Sequence, residues 1–340
     1  MMKQKITIDS VAERAGVSKT TISRYLNGRY DMLSEDTRAK IEAAIKELHY
    51  RPNRIAQSLK GGQSRLIGCI ASDIGSPFTS ILVKGINSVA TKKGYEVFLV
   101  DSEDDPEKEM RAFHNFQESR MDGIIINSTG VNDEKLLEYA EDIPTVFVDR
   151  PPSIKEKVDT VCTNNYSSTR ECLRYLKQLG YKRIGLFTQP IGCNTARQLR
   201  RQGFTDSLRE DFGLEGDDAV FSYTSSRECL EHLRYFVTHE PELRPAILAI
   251  NGVALLDVLH AIKKTGIRIG KECGVCGFDD WGWADLIDPG ITTIAQDSWQ
   301  EGVIAAEMVL NRIEGGKDEP AAFRELKNRL EIRGSTVSQG

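Results

Sequence analysis

From Leu66 onward the chain alternates short apolar runs with longer stretches whose apolar residues recur every three or four positions. The runs at 66–71, 95–100, 123–127, 145–148, 183–187, 246–250 and 273–277 read as strands. Stretches at 80–93, 107–119, 167–179, 197–210, 227–239 and 254–265 between them carry helical spacing. Such alternation predicts parallel sheets covered by helices on both faces. Two units of this kind in series leave a cleft where strand C-termini from both sides converge. Apart from this shared rhythm the sequence shows no strong internal repeat.

Before Leu66 the pattern differs. Val11, Ala12 and Ala15 mark one face of a helix over 8–15, which Gly16 ends by tolerating a left-handed backbone. Ser18 is placed to cap a second helix running to about Leu26, stopped by Asn27-Gly28. A third opens at Ser34, with Glu35 and Asp36 where acids suit the helix dipole. Its stripe is Ile41, Ala44, Ile45 and Leu48. Helix, tight glycine turn, helix and supporting helix make a helix-turn-helix arrangement. On the second helix Ile22 and Leu26 face inward, leaving Lys19, Thr20, Thr21, Ser23 and Arg24 outside. Hydroxyls suit phosphate oxygens, and Lys and Arg suit guanine edges in the major groove. A solvated face of a small bundle is the alternative reading of the same residues.

Charge sharpens the contrast between the two parts. The 340 residues carry a net charge of −5, yet residues 1–62 hold 12 basic and 7 acidic side chains. A basic head on an acidic body places a polyanion at the head alone. With 40% hydrophobic and 28% charged residues, the chain is expected to be globular. No apolar run reaches the ~18 residues of a membrane span. The basic N-terminus lacks an apolar stretch behind it, and the seven cysteines are scattered, so a cytoplasmic protein is expected. Cys273 and Cys276 lack a second Cys/His pair for a zinc site and lie in an expected buried strand. The five histidines form no i, i+4 pair, and no P-loop, GxGxxG after a strand or GxSxG is present. No metal, cofactor or catalysis is expected.

The stretch from Thr7 to Asn27, TIDSVAERAGVSKTTISRYLN, closely resembles the LacI/GalR family of bacterial transcription regulators, and Asn53-Arg54-Ile55-Ala56-Gln57-Ser58-Leu59-Lys60 resembles that family's hinge. Without this resemblance residues 51–62 read as a linker. The resemblance covers essentially the whole chain. It implies an all-α helix-turn-helix head at 1–50, a hinge helix and linker at 51–64, and a core at 65–340. That core would be of the α/β periplasmic-binding-protein type, two doubly wound parallel-sheet lobes. Chain crossings are placed at 162–164, 291–293 and 321–323, giving an N-lobe of 65–162 plus 293–321 and a C-lobe of 163–292 plus 322–340.

Site residues follow from the same resemblance. Lys19, Thr20 and Arg24 would read bases, while Ser18, Thr21, Ser23 and Asn27 would hold phosphates. Arg54, Ala56 and Leu59 would lie in the minor groove, with Leu59 as a wedge. Arg200 would grip a small-molecule effector, with contacts from Asn251, Asp279 and Gln296 and apolar walls from Phe78 and Phe221. Trp281 and Trp283 are candidates for stacking on a sugar ring or for core packing. The family often has an acid where Gly252 stands, so Arg150 and Arg200 favour an anionic effector such as a sugar acid over a neutral sugar or a purine. The segment Gly277 to Ala284, GFDDWGWA, also resembles regulators of keto-deoxy sugar acid catabolism. The expected function is therefore an effector-controlled repressor, a homodimer on double-stranded operator DNA. A transport binding protein, or an enzyme with a fused DNA-binding head, are the rival classes.

Overall fold

The computed structural model describes residues 6–26, 28–50, 63–315 and 319–337. Asn27 and the segment 51–62, with the expected contacts Arg54, Ala56 and Leu59, lie outside the described residues. The chain divides into two units, Met1–Ser64 and Arg65–Gly340.

In the first unit, helices α1 (Ile8–Ala15), α2 (Lys19–Leu26) and α3 (Glu35–Glu47) enclose a small core of Val11, Ala12, Ala15, Ile22, Ile41 and Ala44. Gly16 takes the left-handed conformation, φ 66°, and returns its amide to Ala12 and Glu13. That closes α1 while turning the chain within two residues toward α2. The Ser18 hydroxyl accepts from the Thr21 amide at 3.1 Å and Ser34 does the same for Thr37 at 3.2 Å. Each bond satisfies an amide that the helix start would leave orphaned.

The second unit holds two sheets. Strands β1 (Leu66–Ala71), β2 (Glu96–Asp101), β3 (Gly123–Ile126), β4 (Thr145–Val148) and β5 (Asp159–Thr163) belong to the N-lobe. The C-lobe takes β6 (Arg183–Thr188), β7 (Val220–Ser222), β8 (Pro245–Ala249), β9 (Gly274–Phe278) and β10 (Thr292–Ala295). Two short strands follow, β11 (Phe323–Leu326) in the N-lobe and β12 (Arg329–Glu331) in the C-lobe. The sheet orders are β11-β5-β4-β3-β1-β2 and β12-β10-β9-β8-β6-β7. Every pairing is parallel except β10 with β12. Central strands are buried on both faces, which is why β1, β3 and β8 read as nearly unbroken apolar runs.

Two of the three expected crossings are misplaced. Residues 292–295 pair with β9, Thr292 opposite Cys276, so the chain stays in the C-lobe until Gln296-Asp297. Residues 323–326 pair with β5, Phe323 opposite Thr160, so the last crossing falls at 327–328 and not at 321–323. Lobe membership depends on these distant pairings, which the local apolar pattern does not encode. The first crossing lies at Asn164, directly after β5.

The crossovers are α4 (Pro77–Ala90), α5 (Pro106–Glu118), α6 (Asp133–Tyr139), α7 (Asn165–Gln178), α8 (Thr195–Ser207), α9 (Ser226–Thr238) and α10 (Gly252–Thr265), and α11 (Ser298–Glu314) completes the N-lobe. Helix α4 starts three residues earlier than expected, with Pro77 at its first turn, where a missing amide costs nothing. Helix α11 has no counterpart in the sequence expectation because Glu301 and Gly302 interrupt its buried apolar stripe. Glycine is required there. A Cβ at Gly302 would stand 2.1 Å from the Leu82 carbonyl oxygen, and one at Gly85 2.2 Å from that of Trp299. No described helix is long and apolar enough to cross a membrane.

Gly302→Ala must push α4 and α11 apart at a backbone contact. A loss of about 2–3 kcal/mol is expected in urea unfolding, and an unchanged midpoint would show that the two helices separate freely.

Candidate binding cleft and recognition helix

The C-terminal ends of β1, β3 and β4 face those of β6, β8 and β9 across the cleft between the lobes. Its walls combine Ser72, Ser76, Phe78, Asn127, Asp149 and Arg150 from the N-lobe with Asn194, Arg197, Arg200, Asn251, Asp279 and Gln296 from the C-lobe side. Helices α4, α8 and α10 all present their first turns to this space, through Ser76, Asn194 and Asn251 at their N-caps. Their dipoles place partial positive charge at the cleft, beside the carboxylates of Asp149 and Asp279. At the rim the lobes touch: a Cβ on Gly130, φ 83°, would lie 2.2 Å from the Cys193 carbonyl oxygen.

Arg200 forms the floor. Its Nε donates to Asn165 Oδ1 at 2.6 Å, Nη1 to the Ile250 carbonyl at 2.9 Å and Nη2 to Gln296 Oε1 at 2.9 Å. The guanidinium also lies 3.9 Å from the Phe278 ring centre. Gln296 in turn accepts from the Thr163 hydroxyl at 2.9 Å and donates to Asp279 Oδ1 at 2.5 Å. Asp279 Oδ2 receives the Gly252 amide at 2.8 Å. Burial pushes the Asp279 carboxyl up, while Arg200, Gln296 and the Gly252 amide work against that rise. Burial likewise pulls the Arg200 pKa down, with Asp279 and Asp149 opposing.

Across the cleft, Arg150 is 8% exposed. Its Nη1 donates to Asp104 at 2.6 Å and to the Ser128 carbonyl at 3.0 Å, and Nη2 to Ser72 Oγ at 3.0 Å. Nε is 3.9 Å from Asp149 and makes no hydrogen bond among the described residues. Asp149 accepts from Asn127 Nδ2 at 3.0 Å. Asp149 and Asp279 are the first residues past β4 and β9, and both adopt positive φ, 65° and 74°. Asp tolerates that conformation better than most side chains, so each lobe aims one carboxylate inward from the same kind of strand end.

The recognition helix is built otherwise. Lys19, Thr20 and Arg24 are exposed, Thr21 and Ser23 are half-buried, and the exposed Ser18 is the cap. Lys19 forms an ion pair with Asp9, both side chains more than half exposed. A pair this open is worth little in water and is readily exchanged for a phosphate or base. Tyr25 packs against the head's core and meets Tyr30 edge-on at 5.5 Å.

A shallow helical head with a basic recognition helix, together with a two-lobed core closed over a polar cleft, has clear relatives. Residues 7–53 match the model of "Bacterial regulatory proteins, lacI family", and residues 64–334 match "Periplasmic binding proteins and sugar binding domain of LacI family". The chain belongs to the LacI family. Among curated relatives, the HTH-type transcriptional regulator KdgR of Bacillus subtilis is 39% identical, covering 98% of this chain and all of its own. PtxS of Pseudomonas putida, another HTH-type transcriptional regulator, is 34% identical over 99% and 98%. The crystal structure of the lac repressor dimer bound to operator and the anti-inducer ONPF superposes with a TM-score of 0.83 at 28% identity, covering 98% of this chain and all of that one. As a LacI-family member the protein is a DNA-binding transcriptional regulator and not an enzyme.

Within this LacI-family core the structure gathers Phe78, Arg150, Arg200, Asn251, Asp279 and Gln296 along one cleft. Phe221 does not belong there. It stacks on Phe187 at 5.0 Å and meets Phe236 edge-on at 5.3 Å, inside the C-lobe core. Trp281 also stays off the cleft wall: it covers Gly252, where a Cβ would come within 2.3 Å of its ring, and packs edge-on against Trp283. Asn251 serves as an N-cap, its Oδ1 accepting from the Ala254 amide at 2.8 Å. Cys273 and Cys276 are buried in and beside β9, and Cys276 Sγ contacts Cys172 Sγ at 3.7 Å. No described cluster of His, Cys, Asp and Glu is fit to hold a metal ion. Sequence reasoning missed Asn127, Asn194 and Arg197. The N-cap pattern Asn194-Thr195 just past β6 was the available signal for the last two.

Behind the cleft, Glu301 of α11 is fully buried, and neither carboxyl oxygen has a hydrogen-bond partner among the described residues. Burial first, then the negative charge of Asp149, raises its pKa, with Arg200 opposing. The folded protein therefore keeps a proton that the unfolded chain releases above about 4.5. Stability is full below that pH and falls as pH rises toward the folded value. Glu301→Gln removes this dependence. Relative to wild type its melting temperature is expected to gain as pH rises above about 4.5; parallel pH profiles would show an ionised Glu301 in the fold.

Proposed function

We propose that the protein is a repressor that binds operator DNA as a homodimer in the bacterial cytoplasm and is released or retained by an anionic sugar acid. The observation that carries the effector class is the convergence of Arg150, Arg197 and Arg200 with three helix N-termini on one cleft. A carboxylate meets charge-assisted donors there, whereas a neutral sugar or a purine leaves Arg197, which has no ion-pair partner among the described residues, without an anion. The missing acid at Gly252 and the 39% identity to KdgR support the same class. The operator-bound lac repressor dimer supports the dimer and its DNA.

In this reading Lys19, Thr20 and Arg24 contact base edges, and Ser18, Thr21, Ser23 and Asn27 hold phosphates. The hinge residues Arg54, Ala56 and Leu59 enter the minor groove. Two heads on a near-palindromic site double both contacts and specificity. The effector acts by preferring one degree of lobe closure, which sets the separation of the two 51–62 segments. It shifts operator affinity only by the difference in its affinity for the two core states.

Arg24→Ala is expected to relax sequence preference by roughly 1–3 kcal/mol per affected base pair in an operator-variant binding assay; an unaltered preference would remove Arg24 from base reading. For the effector, melting temperatures are to be compared across aldonates, uronates, keto-deoxy sugar acids, neutral sugars and purines. A ligand of the folded state raises the melting temperature, and the expected hits are acids that also change operator affinity. Hits confined to neutral sugars or purines would overturn the effector class and leave the DNA assignment standing.

A further inference from the structure

We propose that Asp9 is a specificity-determining residue of the head: it screens the Lys19 charge from DNA phosphates and aims the ammonium at base edges. The inference rests on the reading above in which Lys19 contacts bases, and adds a residue outside the recognition helix to it.

The start of α2 is where the head would otherwise draw phosphates without regard to sequence. A helix N-terminus already attracts anions, and here the first residue is Lys19, with no acid in the first turn. The other two helices carry acids of their own there, Asp9 in α1 and Glu35 and Asp36 in α3. Asp9 serves α2 as well, because its carboxylate reaches across from α1 to pair with the Lys19 ammonium. The head's other described ion pairs lie elsewhere: Arg14 joins α1 to Glu47 of α3, and Lys40 pairs with Asp36 inside α3. Arg24, the other charged base reader, stands in the last turn of α2, where the dipole repels anions and no screen is needed.

Both partners are more than half exposed, so the pair adds little to folding. Its effect is on what approaches from outside. A phosphate nearing Lys19 meets a nearly neutral pair instead of a bare cation, whereas a base edge carries only partial charge and is hardly repelled by Asp9. An ammonium has three donors, so Lys19 can give one to Asp9 and keep two for guanine O6 and N7. The tether also restricts a long, rotamer-rich side chain before DNA arrives, which lowers the ordering cost of the base contact. Generic attraction is reduced while the sequence-dependent contact is kept, and specificity is the difference between the two.

The test uses full-length protein and two duplexes of equal length and composition, one selected by wild type from a randomised pool and one scrambled. Affinities are read by fluorescence anisotropy over a range of salt. The isosteric Asp9→Asn is expected to bind the scrambled duplex ~10-fold tighter and the selected duplex at most ~2-fold tighter. Its log affinity for scrambled DNA should fall more steeply with log salt, by about 1 per head. Asp9→Glu should keep the wild-type ratio of the two affinities. Glu47→Gln, which makes the same change in net charge and frees Arg14 outside α2, should keep it too. Melting curves establish that each variant is folded. If Lys19→Ala loses sequence preference while Asp9→Asn keeps the wild-type ratio and salt slope, the inference falls and the base-reading assignment stands. A pool from which wild type selects no sequence, or a Lys19→Ala variant with wild-type preference, overturns that assignment and the inference with it.

Discussion

A guanidinium buried as deeply as that of Arg200 has to be met by fixed acceptors or it cannot stay charged. Asn165, the Ile250 carbonyl and Gln296 meet it, and their positions fix much else. Asn165 begins α7 immediately after the first crossing, and Gln296 stands in the second. Ile250 directly follows β8, one residue before the cap of α10. One side chain thereby references the interlobe crossings to the sheet beneath them. Asp279 and the Gly252 amide are fixed in turn through Gln296.

The arrangement divides the cleft's arginines by function. Arg200 holds the floor, Arg150 is clamped to the N-lobe, and Arg197 keeps its charge unspent. Their acidic neighbours divide similarly. Asp280 is consumed by Arg333 and Thr293, whereas Asp279, next in sequence, turns inward through a left-handed backbone. A region can be rich in charge and still offer a ligand few free groups, so burial and existing partners decide which side chains are available.

What the sequence made legible was local. Gly16, Ser18 and Ser34 act within four residues of themselves, and Ile22 and Leu26 follow from helical spacing, so the head could be read directly. The strand–helix rhythm of the core was equally plain. The crossings were not, because β10 and β11 each look like an ordinary strand and only their partners β9 and β5 reveal the lobe. Phe221 appeared suited to an apolar wall, yet an aromatic on an edge strand packs on whichever rings lie beneath it, here Phe187 and Phe236. Arg197 went unnoticed because an arginine in a first turn looks solvated until a second lobe covers it.

The crossings are also bonded sideways. Thr163 reaches Gln296 at 2.9 Å, and the Asn328 amide reaches Asn164 Oδ1 at 2.8 Å, while Asn328 Nδ2 donates to the Ser168 hydroxyl at 3.0 Å. Three separate ribbons would let the lobes twist and slide as well as hinge. Laced together, they leave a single axis through the back of the cleft, and each lobe becomes a rigid lever on that pivot. Displacement then grows in proportion to distance from the pivot, so a sub-ångström adjustment beside Gln296 becomes a larger stroke at the far end of the N-lobe, where the chain leaves for the head.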